Sequence, residues 1–189
     1  MSAFALGDEQ LAYLRQVREL AARELLPLES DHDSAVGLNR PLLAALGEHG
    51  LLARLFGPDG RSAAALELCL LREALASVST EAETALALQA LGSYPFVLFG
   101  TAEQAGRYRG GVIDGSLVAA FALSEAEAGS DAAALQLRAE PDGDGWRLTG
   151  EKTWISNAPD ADVYTVFART ADTRARGITA FVVPGDAPG

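Results

Sequence analysis

The sequence of 189 residues predicts an α+β fold, an N-terminal all-α helical bundle followed by an antiparallel β-domain, and three observations carry that reading. From Asp8 to about Ile113 the apolar residues recur at helical spacing. After Asp114-Gly115 the chain changes to short segments rich in Val, Phe, Thr, Trp and Tyr, separated by Gly and Asp. The composition, 49% hydrophobic and 22% charged with a mean hydropathy of +0.10, is that of a chain able to bury a core. The change of period falls near residues 113–116 and divides the chain into a helical domain, 1–114, and a β-domain, 115–189, which is expected to be incomplete.

The helices follow in order. Leu11, Leu14, Val17, Leu20 and Leu25 lie close to one stripe of a first helix, which Pro27 is expected to end. A second helix begins after Asn39, with Pro41 in its first turn and Leu42, Leu43 and Leu46 facing inward, and stops at Gly50. Gly57-Pro58-Asp59-Gly60 is a turn cluster, and Ser62 caps a third helix over 63–77. Thr80 with Glu83 reads as a capping box for a helix to about Leu91. Thr101 with Gln104 reads as another, for a helix to about Arg109, where Gly110-Gly111 breaks it. Strands are expected near 117–123, 134–139, 145–149, 152–156, 163–169 and 178–183. Asp142-Gly143-Asp144-Gly145 supplies the positive-φ residues of a tight hairpin.

Charge and cysteine content narrow the function classes. Fifteen basic residues face 26 acidic ones, a net charge of -11, so the chain's field repels phosphate backbones and nucleic acid is not an expected partner. Cys69 is the one cysteine; it allows no intrachain disulfide, reads as a small buried apolar side chain and suits a reducing cytoplasm. No stretch approaches the roughly 20 apolar residues that span a bilayer, and no basic-then-apolar leader opens the chain, so no membrane insertion is expected. His32 and His49 stand apart without ligand partners at metal-binding spacing, and no metal site is expected.

Two segments stand out chemically. In Phe121-Ala122-Leu123-Ser124-Glu125 through Ala128-Gly129-Ser130-Asp131 a strand runs into a small polar turn, whose amides and hydroxyls suit a flat ligand with polar edges. From the residues alone, an ordinary loop with a satisfied Ser and Asp is the favoured reading. Lys152-Thr153-Trp154-Ile155-Ser156-Asn157 places a large aromatic beside a hydroxyl, either to flank a planar cofactor or to fill a core or interface. Gly143-Asp144-Gly145 joins two strands and is no dinucleotide fingerprint. Ser130 does not sit in a Gly-x-Ser-x-Gly turn.

Taken together and in this order, the two segments resemble the paired flavin-site signatures of the acyl-CoA dehydrogenase family. Phe99-Gly100-Thr101-Ala102-Glu103-Gln104 resembles the family's helix start before its β-domain, and Gly177-Ile178-Thr179-Ala180-Phe181-Val182-Val183 a later strand. The resemblance implies a FAD enzyme of fatty acid metabolism that oxidises an acyl-CoA thioester to the 2-enoyl-CoA. In the family a carboxylate removes the α-proton, flavin accepts the β-hydrogen, and an electron-transferring flavoprotein reoxidises the cofactor. It implies cofactor contacts from Phe121, Ala122, Leu123, Ser124, Gly129, Ser130, Trp154, Ile155 and Ser156. Among these, the hydroxyl of Ser124 would bond the ring, Trp154 would pack on it, and Ser156 would reach its polar edge. Ser130 would also touch the pantetheine arm of the substrate.

Some features depart from the family pattern. Ala126 stands where the family usually has Pro, and the 55–60 region is shorter than the family's Gly-Gly loop. The family's catalytic Glu belongs to a C-terminal helical domain that the sequence lacks, so no catalytic base is assigned, neither Glu125 nor Glu127. A truncated chain or one part of a split enzyme is expected, either as a homo-oligomer or paired with the missing segment. Two other functions fit the same residues: a flavin-dependent monooxygenase or oxidase of the same fold, and a non-catalytic subunit that pairs with a complete homologue.

Overall fold

The computed structural model describes residues 5–32, 37–57 and 65–188. The chain is α+β, as its periodicities predict, and falls into two compact units: Met1–Ala90 with Gly110–Ser116, and Leu91–Arg109 with Leu117–Gly189.

In the first unit, α1 (Asp8–Leu20), a π-helical turn (Ala21–Leu25) and α2 (Leu26–Ser30) follow one another without a break. Pro27 therefore does not end the helix but sits in the first turn of α2. A proline lacks the backbone N–H and its ring crowds the carbonyl of the preceding turn; the wider π turn just before it accommodates both. Leu14, Val17, Ala21 and Leu25 form the buried stripe, while Leu11 is exposed. Asn39 caps α3 (Arg40–Glu48) by accepting from the Leu42 N–H at 3.1 Å, and Leu42, Leu43 and Leu46 face inward as their spacing predicts.

After a short 3-10 turn (Leu52–Leu55) comes α4 (Ala65–Ala76), buried through Leu70, Leu71, Ala74 and Leu75. Cys69 lies off that stripe and is exposed, against the expectation of a buried side chain. Pro58-Asp59-Gly60 of the turn cluster and the Ser62 cap lie outside the described residues. The N-terminus of α5 (Thr80–Phe99) is capped by Ser79, whose Oγ accepts from the Ala82 N–H at 3.0 Å, and not by Thr80, one residue later. Glu83 is free of any capping box because it takes the Arg72 guanidinium at 2.6 Å instead.

The helix α5 also outruns its expected end at Leu91, passing through Pro95 to Phe99. Burial of Phe96 and Val97, with the Phe96 ring edge-on to Tyr108 at 5.8 Å, outweighs the proline there. The capping box of α6 (Ala102–Asp114) forms as predicted. Thr101 N–H donates to Gln104 Oε1 at 2.8 Å, and Gln104 N–H to Thr101 Oγ1 at 3.1 Å. Gly110-Gly111 does not break this helix, which continues to Asp114 with Val112 fully buried.

The second unit holds a five-stranded sheet of β1 (Ala119–Ala122), β2 (Arg138–Asp142), β3 (Gly145–Thr149), β4 (Val163–Arg169) and β5 (Ile178–Pro184). The sheet is mixed, where an antiparallel one was expected. The β2–β3 and β4–β5 pairs are antiparallel, but β1 and β2 both pair with β4 in parallel. Parallel pairing needs a long crossover, and the whole stretch between β1 and β4, including the β2–β3 hairpin, provides it. That hairpin turns on Gly143 at φ +61°, while Asp144 keeps a negative φ, the pattern of a type II′ turn rather than one needing two left-handed residues.

A helix fastens this sheet. Thr165 Oγ1 of β4, buried, donates to the Gly92 carbonyl of α5 at 2.7 Å. A Cβ on Gly92 would stand 2.9 Å from Ala119, so only glycine lets α5 lie this close to β1. On the sheet, Leu137, Ala139 and Ala168 are buried, with Leu148, Val166 and Phe181 packed around them.

Candidate functional site

The site is built where β1 ends. Its four residues follow the burial pattern of a strand with one open side: Ala119, Ala120 and Ala122 are buried, and Phe121 is half-buried with its ring 4.9 Å from that of Phe167. Beyond it the chain folds into a tight turn, closed by Glu125 N–H to Ala128 C=O at 3.0 Å and Ala128 N–H to Glu125 C=O at 3.2 Å. Leu123 and Ser124 enter this turn; Gly129 and Ser130 leave it, both exposed.

Residues 152–156, expected as a strand, form none; with Asn157 they make up a return loop. They run back along β1 as a loop fastened at both ends. Near the end of β1, the Thr153 N–H donates to the Ser124 carbonyl at 3.0 Å. At its start, Asn157 Nδ2 donates to the Ala119 carbonyl at 2.9 Å. Between these ties Trp154 and Asn157 both adopt left-handed backbone, at φ +60° and +69°, which no ladder strand accommodates. A left-handed Trp costs on the order of 1–3 kcal/mol and persists only where its surroundings hold it. The residue is 91% exposed, so no core packing explains the position. Ile155 is half-buried and its carbonyl accepts from the Ala158 N–H at 3.2 Å; Ser156 is exposed.

Sequence reasoning singled out the tips of this arrangement and missed what holds them. Lys152 Nζ donates to the Leu123 carbonyl at 2.9 Å and to Glu125 Oε1 at 2.8 Å. The same carboxylate accepts the Gln136 N–H at 2.6 Å and the Leu137 N–H at 2.9 Å. Burial pushes the Glu125 carboxyl up, but the Lys152 ammonium and these two amides outweigh it and hold the group below the usual carboxylate value. Further along, the buried guanidinium of Arg169 donates to the carbonyls of Ala133, Leu135, Ala171 and Arg174, pinning the 3-10 turn (Ala132–Ala134) that follows Ser130-Asp131. A charged residue closing an apolar strand pattern, as Arg169 does at the end of β4, is the signal the sequence offers.

The donor set has a definite chemistry. Ser124 and the Thr153–Ser156 loop are brought together, with an uncovered aromatic face at Trp154, while Ser130 sits outside the staple. Thr153 Oγ1 is buried without a hydrogen-bond partner among the described residues. The Glu125 carboxylate accepts three hydrogen bonds and is fully engaged. An aromatic face, hydroxyls and an orphaned polar atom fit a planar ring system with a polar edge. Among the described residues no group of His, Cys, Asp and Glu is arranged to hold a metal ion, and no helix is long and apolar enough to cross a membrane.

A helical unit followed by a sheet whose first strand carries two stapled motifs defines the class. Residues 7–116 match the family model for the acyl-CoA dehydrogenase N-terminal domain, and residues 120–189 match that for the acyl-CoA dehydrogenase middle domain. The chain belongs to the acyl-CoA dehydrogenase family. A probable acyl-CoA dehydrogenase of Mycobacterium leprae is 36% identical over 98% of this chain and 49% of its own length. A solved glutaryl-CoA dehydrogenase of Mycobacterium smegmatis in complex with FADH2 superposes with a TM-score of 0.84 at 27% identity, over 97% of this chain and 47% of that one. PigA with FAD and proline gives 0.85 at 28%, over 98% and 50%. The chain spans about half the length of the curated relatives it matches.

Proposed function

We propose that this chain forms the N-terminal and middle-domain part of a FAD-dependent acyl-CoA dehydrogenase, acting on an acyl-CoA thioester in the cytoplasm and passing electrons to an electron-transferring flavoprotein. The observation that carries the reading is the stapled pair of motifs, with Ser124 bonded to Thr153 and the Trp154 face exposed beside it. FAD bound there supplies the two-electron acceptor for α,β-dehydrogenation. The chain's own residues bind and orient. Phe121, Ala122, Leu123 and Ser124 would form the strand-end wall, with the Ser124 hydroxyl bonding the ring; Trp154 would pack on the ring, Ser156 would reach its polar edge, Ile155 and Gly129 would contact the cofactor, and Ser130 would contact both cofactor and pantetheine. Glu125 cannot take the α-proton, because its carboxylate is buried and already accepts three hydrogen bonds. We therefore assign the base to no residue of this chain and, by the family resemblance, to a C-terminal helical domain, in a homo-oligomer or a longer assembly.

The test is the visible spectrum of the chain after incubation with FAD and desalting, then the same chain joined to a downstream segment carrying the base. Retained flavin, and anaerobic bleaching by short-, medium- or long-chain acyl-CoA in the joined protein, are expected. A folded, FAD-loaded joined protein inert to every acyl length overturns the dehydrogenase reading. A second reading, a flavin-dependent oxidase, draws on the similarity to PigA with FAD and proline. Oxygen consumption without an enoyl product decides for it.

A further inference from the structure

Lys152 and Glu125 form the one ion pair among the described residues in which both side chains are less than a tenth exposed, at 7% and 9%. Four separate pieces of chain converge on it: the end of β1 through the Leu123 carbonyl, the tight turn through Glu125 itself, the entry to β2 through the amides of Gln136 and Leu137, and the return loop through Lys152. A buried pair of this kind adds little net stability, since desolvation of two charges consumes most of the attraction. Neutral replacements of similar volume are often tolerated. What such a pair supplies is a single geometry, because every donor and acceptor has a fixed partner.

The geometry in question is that of the site. Ser124 lies between the two groups that Lys152 holds, and Trp154 lies two residues beyond Lys152 itself. We propose that Lys152 and Glu125 are positioning residues that set Ser124 and Trp154 at the separation a planar cofactor requires, an assignment that rests on the flavin reading above. The pair is assigned no contact with the cofactor; it acts through the Ser124–Thr153 tie. Its loss frees the return loop from β1 and lets the left-handed Trp154 relax into ordinary backbone.

Three proteins test this: the wild-type chain, Lys152→Met, and the double variant Glu125→Gln with Lys152→Met. The single variant buries an unpaired carboxylate, so its melting temperature drops. The double variant removes both charges and recovers most of that drop. Positioning predicts that the double variant, though folded, still binds FAD at least tenfold more weakly than wild type, with a shifted flavin spectrum. It also predicts that the Thr153 amide exchanges with solvent at least tenfold faster while the amides of β4 keep their wild-type rates. A double variant with wild-type FAD affinity and spectrum overturns the proposal, and so does a Thr153 amide that stays protected. If the isolated wild-type chain binds no FAD, the affinities are compared in the joined protein, where failure to bind FAD sinks the flavin reading on its own, and the Thr153 exchange rate still decides whether the pair sets this geometry.

Discussion

At the scale of single residues, Trp154 separates function from stability. The residue is 91% exposed, so Trp154→Ala removes almost no buried contact and is expected to change folding free energy by no more than about 0.5 kcal/mol. The same change removes the aromatic face and is expected to weaken FAD binding about tenfold. Thermal melts and a flavin titration check the two halves, and a variant that melts much lower without losing flavin refutes the assignment. Glu125 behaves differently. Its carboxyl in the folded chain sits below the ordinary value of 4.5, so the ionised form is favoured on folding. That contribution is fully present above pH 4.5 and is lost as the pH falls below it through the folded value. Melting temperature against pH is expected to decline in this acid range for the wild type and to decline less for Glu125→Gln; parallel curves would show that the carboxylate carries no such linkage.

Among elements, the contact of α5 with β1 positions the site, and Gly92 permits it. Gly92→Ala places a methyl 2.9 Å from Ala119 backbone and side chain, where neither helix nor strand yields cheaply. A loss of about 1–3 kcal/mol is expected in chemical denaturation. A neutral result would mean that helix and strand shift apart readily. The elements also show what a sequence can and cannot disclose. β3 and β4 are read at their observed ends, since alternation and the flanking turn residues coincide there. The 152–156 stretch has the Thr, Trp and Ile of a strand, but two left-handed residues, selected by ties to Ala119 and Ser124, override that propensity. Pro27, Pro95 and Gly110-Gly111 mislead in the same way: local helix breakers lose to packing that lies elsewhere in the chain. Of the site, the motif tips were legible through family resemblance. The roles of Lys152, Asn157 and Arg169 were not, because each acts on a carbonyl more than 20 residues away in sequence. Parallel pairing of β1 and β2 with β4 leaves no trace in periodicity at all.

For the molecule as a whole, charge governs how anionic ligands approach. A chain of net charge -11 repels both FAD and CoA at long range, and salt screens that repulsion. FAD affinity is therefore expected to rise severalfold between about 0.02 M and about 0.3 M salt; a fall would point to local basic groups that dominate recognition. The return loop has one more effect, on solubility. A strand edge with open carbonyls is a template on which another chain can pair and grow. By laying residues 152–157 along β1 and filling the Ala119 and Ser124 carbonyls, the fold spends the segment that presents Trp154 on shielding that edge as well. Evolution of the loop toward a new ligand thus carries a colloidal hazard: any change that lifts it from β1 uncovers a docking strip for neighbouring molecules.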